Sequence, residues 1–399
     1  MEIINPYLFV EINDSNFTFI VVSSDENENL KVLKKIISTH EGIINNKFVN
    51  IDQTNLIIKK NIEIIEDELN YIFKEAVVIL DNFRYLCTNI SGFKKLNGSQ
   101  ILKENISYIL NSLKLNVTEN EKEKTILHIF NSESVLDGTR VENLPIGLFG
   151  NFYNHALTFF LVGNNDLKNI KQIFSRNNLK IKKFFIKDFI EGAQLINQNH
   201  NIDTFLKIKI KKKSSNLSFF DKSALRYIEY FDFGTNIILK DIEKVCALSN
   251  EFLSKILDDQ MFKKRDFEEN ELIDKKYFLE NKYRKIRKKL ITDIVDARVE
   301  EIANIILNKN TNIRSIKKNI EKVYIIIEDN LVSNNFEKDL QLYFSQNNSI
   351  EPNVMNGFEI DSLTKSAIHL TTYGWKSEAI PLIQTKNSLI TKIFKSLFG

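Results

Sequence analysis

The hydrophobic pattern of this chain changes period at recognisable points, and each change marks an element. Residues 7–12 and 17–23 are short runs rich in aromatic and β-branched side chains, separated by the polar Asn13-Asp14-Ser15-Asn16. That predicts two strands and a tight turn, with residues 30–38 adding a third strand. In the stretch opened by Asp52, the side chains Ile58, Ile62, Ile65, Leu69 and Ile72 recur at helical spacing, so one helix face is apolar. The wholly apolar residues 76–80 then predict a buried strand, and an apolar strand after an amphipathic helix implies a sheet covered by helices.

From about Asn82 a different arrangement begins. A helix over 100–113, a strand over 125–130, a turn at Asp137-Gly138, the loop Asn143-Leu-Pro-Ile-Gly-Leu-Phe-Gly150, a long strand over 152–162 and a helix over 166–177 make a compact α/β insertion. Residues 181–186 and 205–220 return to sheet-like patterning around a helix at 188–197. Helices are expected at 241–257 and from about 276 to 307, the second carrying the basic run Arg284-Lys-Ile-Arg-Lys-Lys289, which on a helix reads as a solvated face. A buried strand at 323–327 and a core helix at 361–372 follow.

The last residues, Lys386-Asn-Ser-Leu-Ile-Thr-Lys-Ile-Phe-Lys-Ser-Leu-Phe-Gly399, differ from all of these. On a helix, Leu389, Ile390, Ile393, Phe394, Leu397 and Phe398 cover about half the circumference, Lys392 and Lys395 lie opposite, and the segment has no carboxylate. Asn387 or Ser388 can cap its start. Two readings stand: a terminal helix docked on the protein's own core, or a helix lying in an anionic lipid surface, for which the basic, acid-free polar face argues. About 1 kcal/mol for each partly buried apolar side chain and about 1 kcal/mol per lysine make a single copy a weak anchor. Several copies on one assembly hold firmly, because each later attachment is intramolecular.

With 399 residues the chain can bury a large core in more than one domain. Lys+Arg 55 against Asp+Glu 52 gives a net charge of +3, too balanced to imply nucleic-acid binding. Cys87 and Cys246 stand far apart, which suits a reducing compartment and argues against a disulfide framework or a cysteine metal site. The amino terminus has no basic region leading into a long apolar one, and no apolar run reaches about 18 residues, so neither export nor a membrane span is expected. His40, His128, His155, His200 and His369 show no metal-ligand spacing, and neither G-x-S-x-G nor a P-loop occurs.

The insertion carries a resemblance. Ile126-Leu-His-Ile129, Leu136-Asp-Gly138, Asn143-Leu-Pro-Ile-Gly-Leu-Phe-Gly150 and the strand ending Phe159-Phe-Leu-Val162 resemble the strand, D-G turn and N-P-x-G-L-x-G loop of subdomain 1C in the bacterial cell-division protein FtsA family, which is actin-like. The order of elements over nearly the whole chain is similar, and the terminal segment looks like that family's membrane-targeting helix. The resemblance implies an α/β fold of the actin-like, duplicated ribonuclease H-like kind, with an inserted 1C-type subdomain. It divides the chain into subdomain 1A at 1–81 (completed by about 346–376), 1C at 82–164, 2A at 165–236 (completed by about 313–345), 2B at 237–312, a linker at 377–386 and the amphipathic helix at 387–399. It further implies an adaptor that anchors FtsZ polymers to the cytoplasmic face of the inner membrane at the division site. Its expected partners are the FtsZ tail peptide, anionic lipid, further copies of itself in actin-like polymers, and later division proteins. By the same match, Arg298 and Glu301 in Asp296-Ala-Arg-Val-Glu-Glu-Ile302 contact the FtsZ peptide; the alternative is that they are solvent-exposed helix charges.

The family's ATP and Mg²⁺ are the part of the resemblance that the residues do not repeat. Phosphate turns need glycine so that backbone N–H groups can approach, and the cation needs carboxylate oxygen. The first turn resembles E-I-G-T-x-K but has Asn13 and Asn16 in place of the glycine and lysine. The second, D-I-G-G-G-T-x-D, falls on Lys209-Ile210-Lys211-Lys212-Lys213-Ser214-Ser215-Asn216, and the adenosine turn reads Glu328-Asp329-Asn330 instead of T-G-G. Three readings follow: a pseudo-ATPase with no cofactor and no catalytic residue; an active ATPase whose Lys211, Lys212 and Lys213 hold phosphate as point charges; or, for residues 207–211, an edge strand whose lysines discourage aggregation. The actin-like scaffold of type IV pilus machinery shares the inserted subdomain and is the alternative family reading. Lone Trp375 reads as a packing residue with a polar edge.

Overall fold

The computed structural model describes residues 6–13, 15–24, 30–40, 42–44, 47–199, 201–248, 253, 267–275, 278, 283–314, 316, 320–328, 341–343, 345, 352–355 and 357–381. In chain order the first elements are β1 (Tyr7–Ile12), β2 (Asn16–Ser24), β3 (Leu30–Thr39), β4 (Ile43–Ile44), β5 (Lys47–Phe48), α1 (Ile51–Leu69) and β6 (Glu75–Leu80). The insertion holds β7 (Leu86–Lys95), α2 (Lys103–Asn120), β8 (Lys124–Leu136), β9 (Thr139–Val141) and β10 (Phe152–Gly163), and α3 (Asn164–Arg176), β11 (Lys180–Ile186) and α4 (Lys187–Gln198) follow it. Next come β12 (Phe205–Ile210), β13 (Ser215–Asp221), β14 (Ala224–Phe231), α5 (Asn236–Cys246), α6 (Lys288–Ala303), β15 (Lys322–Ile327), β16 (Asn353–Met355), α7 (Ile360–Thr372) and β17 (Glu378–Pro381).

These elements form two compact units, Met1–Asn201 with Phe220–Arg226 and Glu359–Gly399, and Ile202–Phe219 with Tyr227–Phe358. Each has a five-stranded sheet, ordered β11-β6-β1-β2-β3 in the first and β14-β13-β12-β15-β16 in the second. In both, an antiparallel run opens the unit, a later strand joins its first strand in parallel, and a further strand joins that one in parallel. The same topology twice is the duplication expected from the sequence.

In the first unit β1, β2 and β6 are largely buried on both faces because helices cover the sheet, α1 packing with α3 and α4 with α7, whereas the edge strand β3 alternates with exposed positions. The start of α1 lies one residue before Asp52, at Ile51, since Asn50 accepts from the Gln53 N–H at 3.0 Å and sets the cap. Gly192 in α4 marks the tightest approach: a Cβ there meets the buried ring of Phe220 at 1.9 Å.

Several expectations change. Residues 165–201, expected in the second half, belong to the first, because β11 pairs with β6 and α3 packs on α1. The return to the first unit comes at 359, not near 346, since β16 is still paired with β15. β7 has no counterpart in the sequence reading, and residues 378–381, expected as linker, are a strand on β8. The helix expected from 276 starts at Lys288, after Arg287 bridges Leu272, so the basic run is not one helix face; it runs on through a π-helical turn at Asn304–Asn308. The helix expected over 241–257 runs instead from Asn236 to Cys246, closed by Ala247 in the left-handed conformation. The run at 205–220 is a hairpin, and its first strand, β12, is central and buried, which removes the edge-strand reading of Lys207 and Lys209.

The inserted sheet runs β17-β8-β10-β7 with β9 against β8, and α2 packs on one face. The two motifs that carry the family resemblance form one piece of structure. Asp137 and Gly138 take positive φ in the β8–β9 turn, and the Asp137 carboxylate accepts from the Asn151 and Phe152 N–H groups at the end of the 143–150 loop. β17 is fixed by a buried ionic group: His128 in β8 lies 2.7 Å from Glu378, whose other oxygen is 3.7 Å from the Lys183 ammonium of β11. Burial alone pushes the Glu378 carboxyl up, but Lys183 and the His128 hydrogen bond outweigh it and hold the group below the usual range.

A second buried chain, Ser134–Tyr153–His155–Asn131, crosses the same sheet at 2.9–3.1 Å. Burial lowers His155 to about 4 and raises Tyr153 to about 12, although Ser134 bonds the latter. The unfolded chain therefore takes up a proton at His155 near its ordinary pKa of about 6.5, while the folded chain resists until about 4. Stability present above pH 6.5 is lost as pH falls through this window, by about 3 kcal/mol from this group. Urea unfolding across the window should show that decline, and His155→Asn should flatten it.

Candidate functional site

In parallel α/β sheets, ligands are met at the carboxyl ends of the strands, and the first unit gathers its charges there. Glu11 is the penultimate residue of β1, Asp81 follows β6, and Lys187 follows β11 as the first residue of α4. These three strands are neighbours in the order β11-β6-β1. The Lys187 ammonium stands 2.8 Å from Glu11 and 3.3 Å from Asp81, with all three side chains mostly buried. Asp188 beside it is fully buried. The Tyr85 hydroxyl donates to the Leu80 carbonyl at 3.2 Å, and burial, then the charges of Asp188 and Asp81, push its pKa well above the ordinary value.

The β1–β2 turn next to this cluster contains Asn13 and Asn16. The Asn13 side-chain oxygen accepts from the N–H groups of Ser15 at 2.9 Å and Asn16 at 2.7 Å. Those amides are the ones a phosphate turn offers to its ligand; here the turn's own side chain uses them. The His40 ring nitrogen Nε2 lies 2.8 Å from the Asn13 carbonyl and holds the turn from behind.

The corresponding turn of the second unit joins β12 to β13. Lys211 N–H bonds Ser214 O at 2.9 Å, and the Lys211 and Lys212 carbonyls accept from Thr235 at 3.0 Å and Asn236 at 2.9 Å, at the start of α5. The turn thus caps a helix of its own unit. Gly234 is required there, since a Cβ falls 2.1 Å from the Lys211 carbonyl oxygen. Lys209, aligned with the metal-facing aspartate, is buried and 3.8 Å from Glu328, the residue after β15. Asn216 is buried in β13, whereas Lys212 and Lys213 are exposed. Asp329 and Asn330 lie outside the described residues, as do Leu389, Ile390, Lys392, Ile393, Phe394, Lys395, Leu397 and Phe398.

Arg298 and Glu301 share a face of α6, as the spacing requires. The Arg298 guanidinium bonds Glu301 at 2.6 Å and Asp241 of α5, so its fork ties two helices of the second unit. Trp375 donates to the Ser223 carbonyl at 2.6 Å, the polar edge expected of it. The sequence reading missed the Glu11–Asp81–Lys187 group. Its signal was a charge at the end of each of three apolar stretches, Glu11 after residues 7–10, Asp81 after residues 76–80 and Lys187 after residues 184–186.

ATP with Mg²⁺ does not fit these donors. The first turn spends two amides on Asn13, the second spends the Lys211 amide on the Ser214 carbonyl, and a lysine stands at the strand-end carboxylates of each unit.

No protein-family profile matches the chain, and no curated protein does. Solved structures do. The chain is similar to one described as the PilM-PilN type IV pilus biogenesis complex, at 11% identity and a TM-score of 0.56, covering 92% of this chain and 98% of that one. The ethanolamine utilization protein EutJ of Carboxydothermus hydrogenoformans is similar at 9% identity and a TM-score of 0.45, over 92% of this chain and 89% of that one. MreB5 of Spiroplasma citri, bound to AMPPNP, is similar at 10% identity and a TM-score of 0.47, over 92% and 96%.

Gly234→Ala tests the packed second turn. The added methyl meets backbone that α5 holds in place, so a loss of about 1–3 kcal/mol is expected in chemical denaturation. Wild-type stability contradicts the packing described. The fold is actin-like, an α/β architecture of two topologically repeated sheets with an inserted third.

Proposed function

We propose that this chain is an actin-like adaptor that works at a lipid surface without nucleotide turnover. The body assembles into actin-like polymers and binds the tail peptide of FtsZ filaments. Residues 387–399 fix it to anionic lipid on the cytoplasmic face of the bacterial inner membrane at the division site, where later division proteins join it. One observation carries this reading: the terminal segment sets six apolar side chains against Lys392 and Lys395 with no carboxylate. No helix among the described residues is long and apolar enough to cross a membrane, so attachment in this reading belongs to the tail. A peptide carboxylate that reaches Arg298 exchanges with Glu301 or Asp241, which makes the bound peptide and the α5–α6 tie competitors.

A second reading is favoured by the similarity to the pilus biogenesis complex over 92% of this chain. There the chain is a peptide-binding scaffold, and the tail has no lipid role.

Co-sedimentation with vesicles containing anionic phospholipid separates the two. The full chain is expected to pellet, and a chain ending at Gln384 to stay in solution. Lys392→Glu with Lys395→Glu should lower pelleting at least tenfold, since reversing each charge removes an attraction of about 1 kcal/mol and adds repulsion. Equal pelleting of full and shortened chains contradicts the anchor.

A further inference from the structure

We propose that Lys187 is a built-in counter-cation, a fixed ammonium that neutralises the strand-end carboxylates and leaves the first unit with no place for a divalent ion. Three observations lead there. Glu11 and Asp81 sit at the carboxyl ends of adjacent parallel strands, both mostly out of water, an arrangement that demands positive charge. Lys187 supplies it at 2.8 and 3.3 Å, distances of charge-assisted hydrogen bonds. It does so from the first residue of α4, where the helix dipole opposes a cation, so the carboxylates and not the helix hold it there.

The second unit repeats the device with its own residues. Lys209 is the penultimate residue of β12 and lies 3.8 Å from Glu328 after β15, again an ammonium beside a carboxylate near the ends of adjacent parallel strands. Each sheet thus sets a lysine against a strand-end carboxylate, Lys187 from the end of β11 and Lys209 from β12 itself. A carboxyl edge built to face a bound cation keeps its acids only if something replaces that cation. A lysine does so permanently, since unlike a metal it does not dissociate.

This proposal deepens the nucleotide-independent part of the reading above and rests on it. The test uses the full chain. Wild type is expected to bind no Mn²⁺ by electron paramagnetic resonance and to melt at the same temperature with or without millimolar Mg²⁺. Lys187→Gln leaves two facing carboxylates, and its melting temperature should drop and then recover in part when Mg²⁺ or Mn²⁺ is added. Adding Glu11→Gln and Asp81→Asn to that variant should restore stability and abolish the metal response. Should Lys187→Gln fail to fold, recovery of folding in the triple variant supports the same conclusion. Mn²⁺ binding by wild type, an unchanged melting temperature in Lys187→Gln, or a triple variant as unstable as the single one overturns it. Binding of metal-free ATP to wild type defeats the nucleotide-independent reading while leaving the charge role of Lys187 standing, so the two failures are distinguishable.

Discussion

Carboxylates at the carboxyl edge of a parallel sheet must be compensated, and that constraint organises each unit of this protein. Parallel strands β1, β6 and β11 end together, so any acid at those ends is brought close to its neighbours in a low-dielectric setting. Glu11 and Asp81 are such acids, and Lys187 answers them. At β12 and β15 a single acid, Glu328, stands 3.8 Å from the buried ammonium of Lys209. The neighbouring turns are tied into the structure: Asn13 closes one on itself, and the other caps α5.

Much of the fold was legible because burial writes a plain pattern. β1, β6 and β15 are largely apolar on both faces, and α1 and α3 carry a single apolar stripe, so period alone identifies them. β7 was not, since its open face is polar at Asn89 and Ser91 and its covered face includes Gly92, set close against Ile109 and Leu113 of α2. β17 is four residues long and ends in Pro381; what makes it a strand is Glu378 reaching His128 and Lys183, partners far away in sequence.

The site was legible by its departures and not by its replacements. Missing glycines at Asn13 and around Lys211 are visible in the string of letters, but what those side chains do instead is tertiary. Lys207-Ile-Lys-Ile-Lys211 reads as a solvent-facing edge because alternation is the same whether a lysine meets water or a buried carboxylate, and β12 turned out central. Arg298 and Glu301 share a helix face by their spacing, while Asp241, which meets the guanidinium, lies inside α5, a helix that starts at Asn236 and not at Asp241 as the pattern suggested.

Under the proposed reading, an actin-like fold whose first turn and strand-end charges are satisfied internally works without nucleotide, and its assembly is governed by partners and surface concentration. Isothermal titration of the full chain with ATP in the presence of Mg²⁺ tests this most directly. The account predicts no measurable heat of binding; saturable binding in the micromolar range contradicts it.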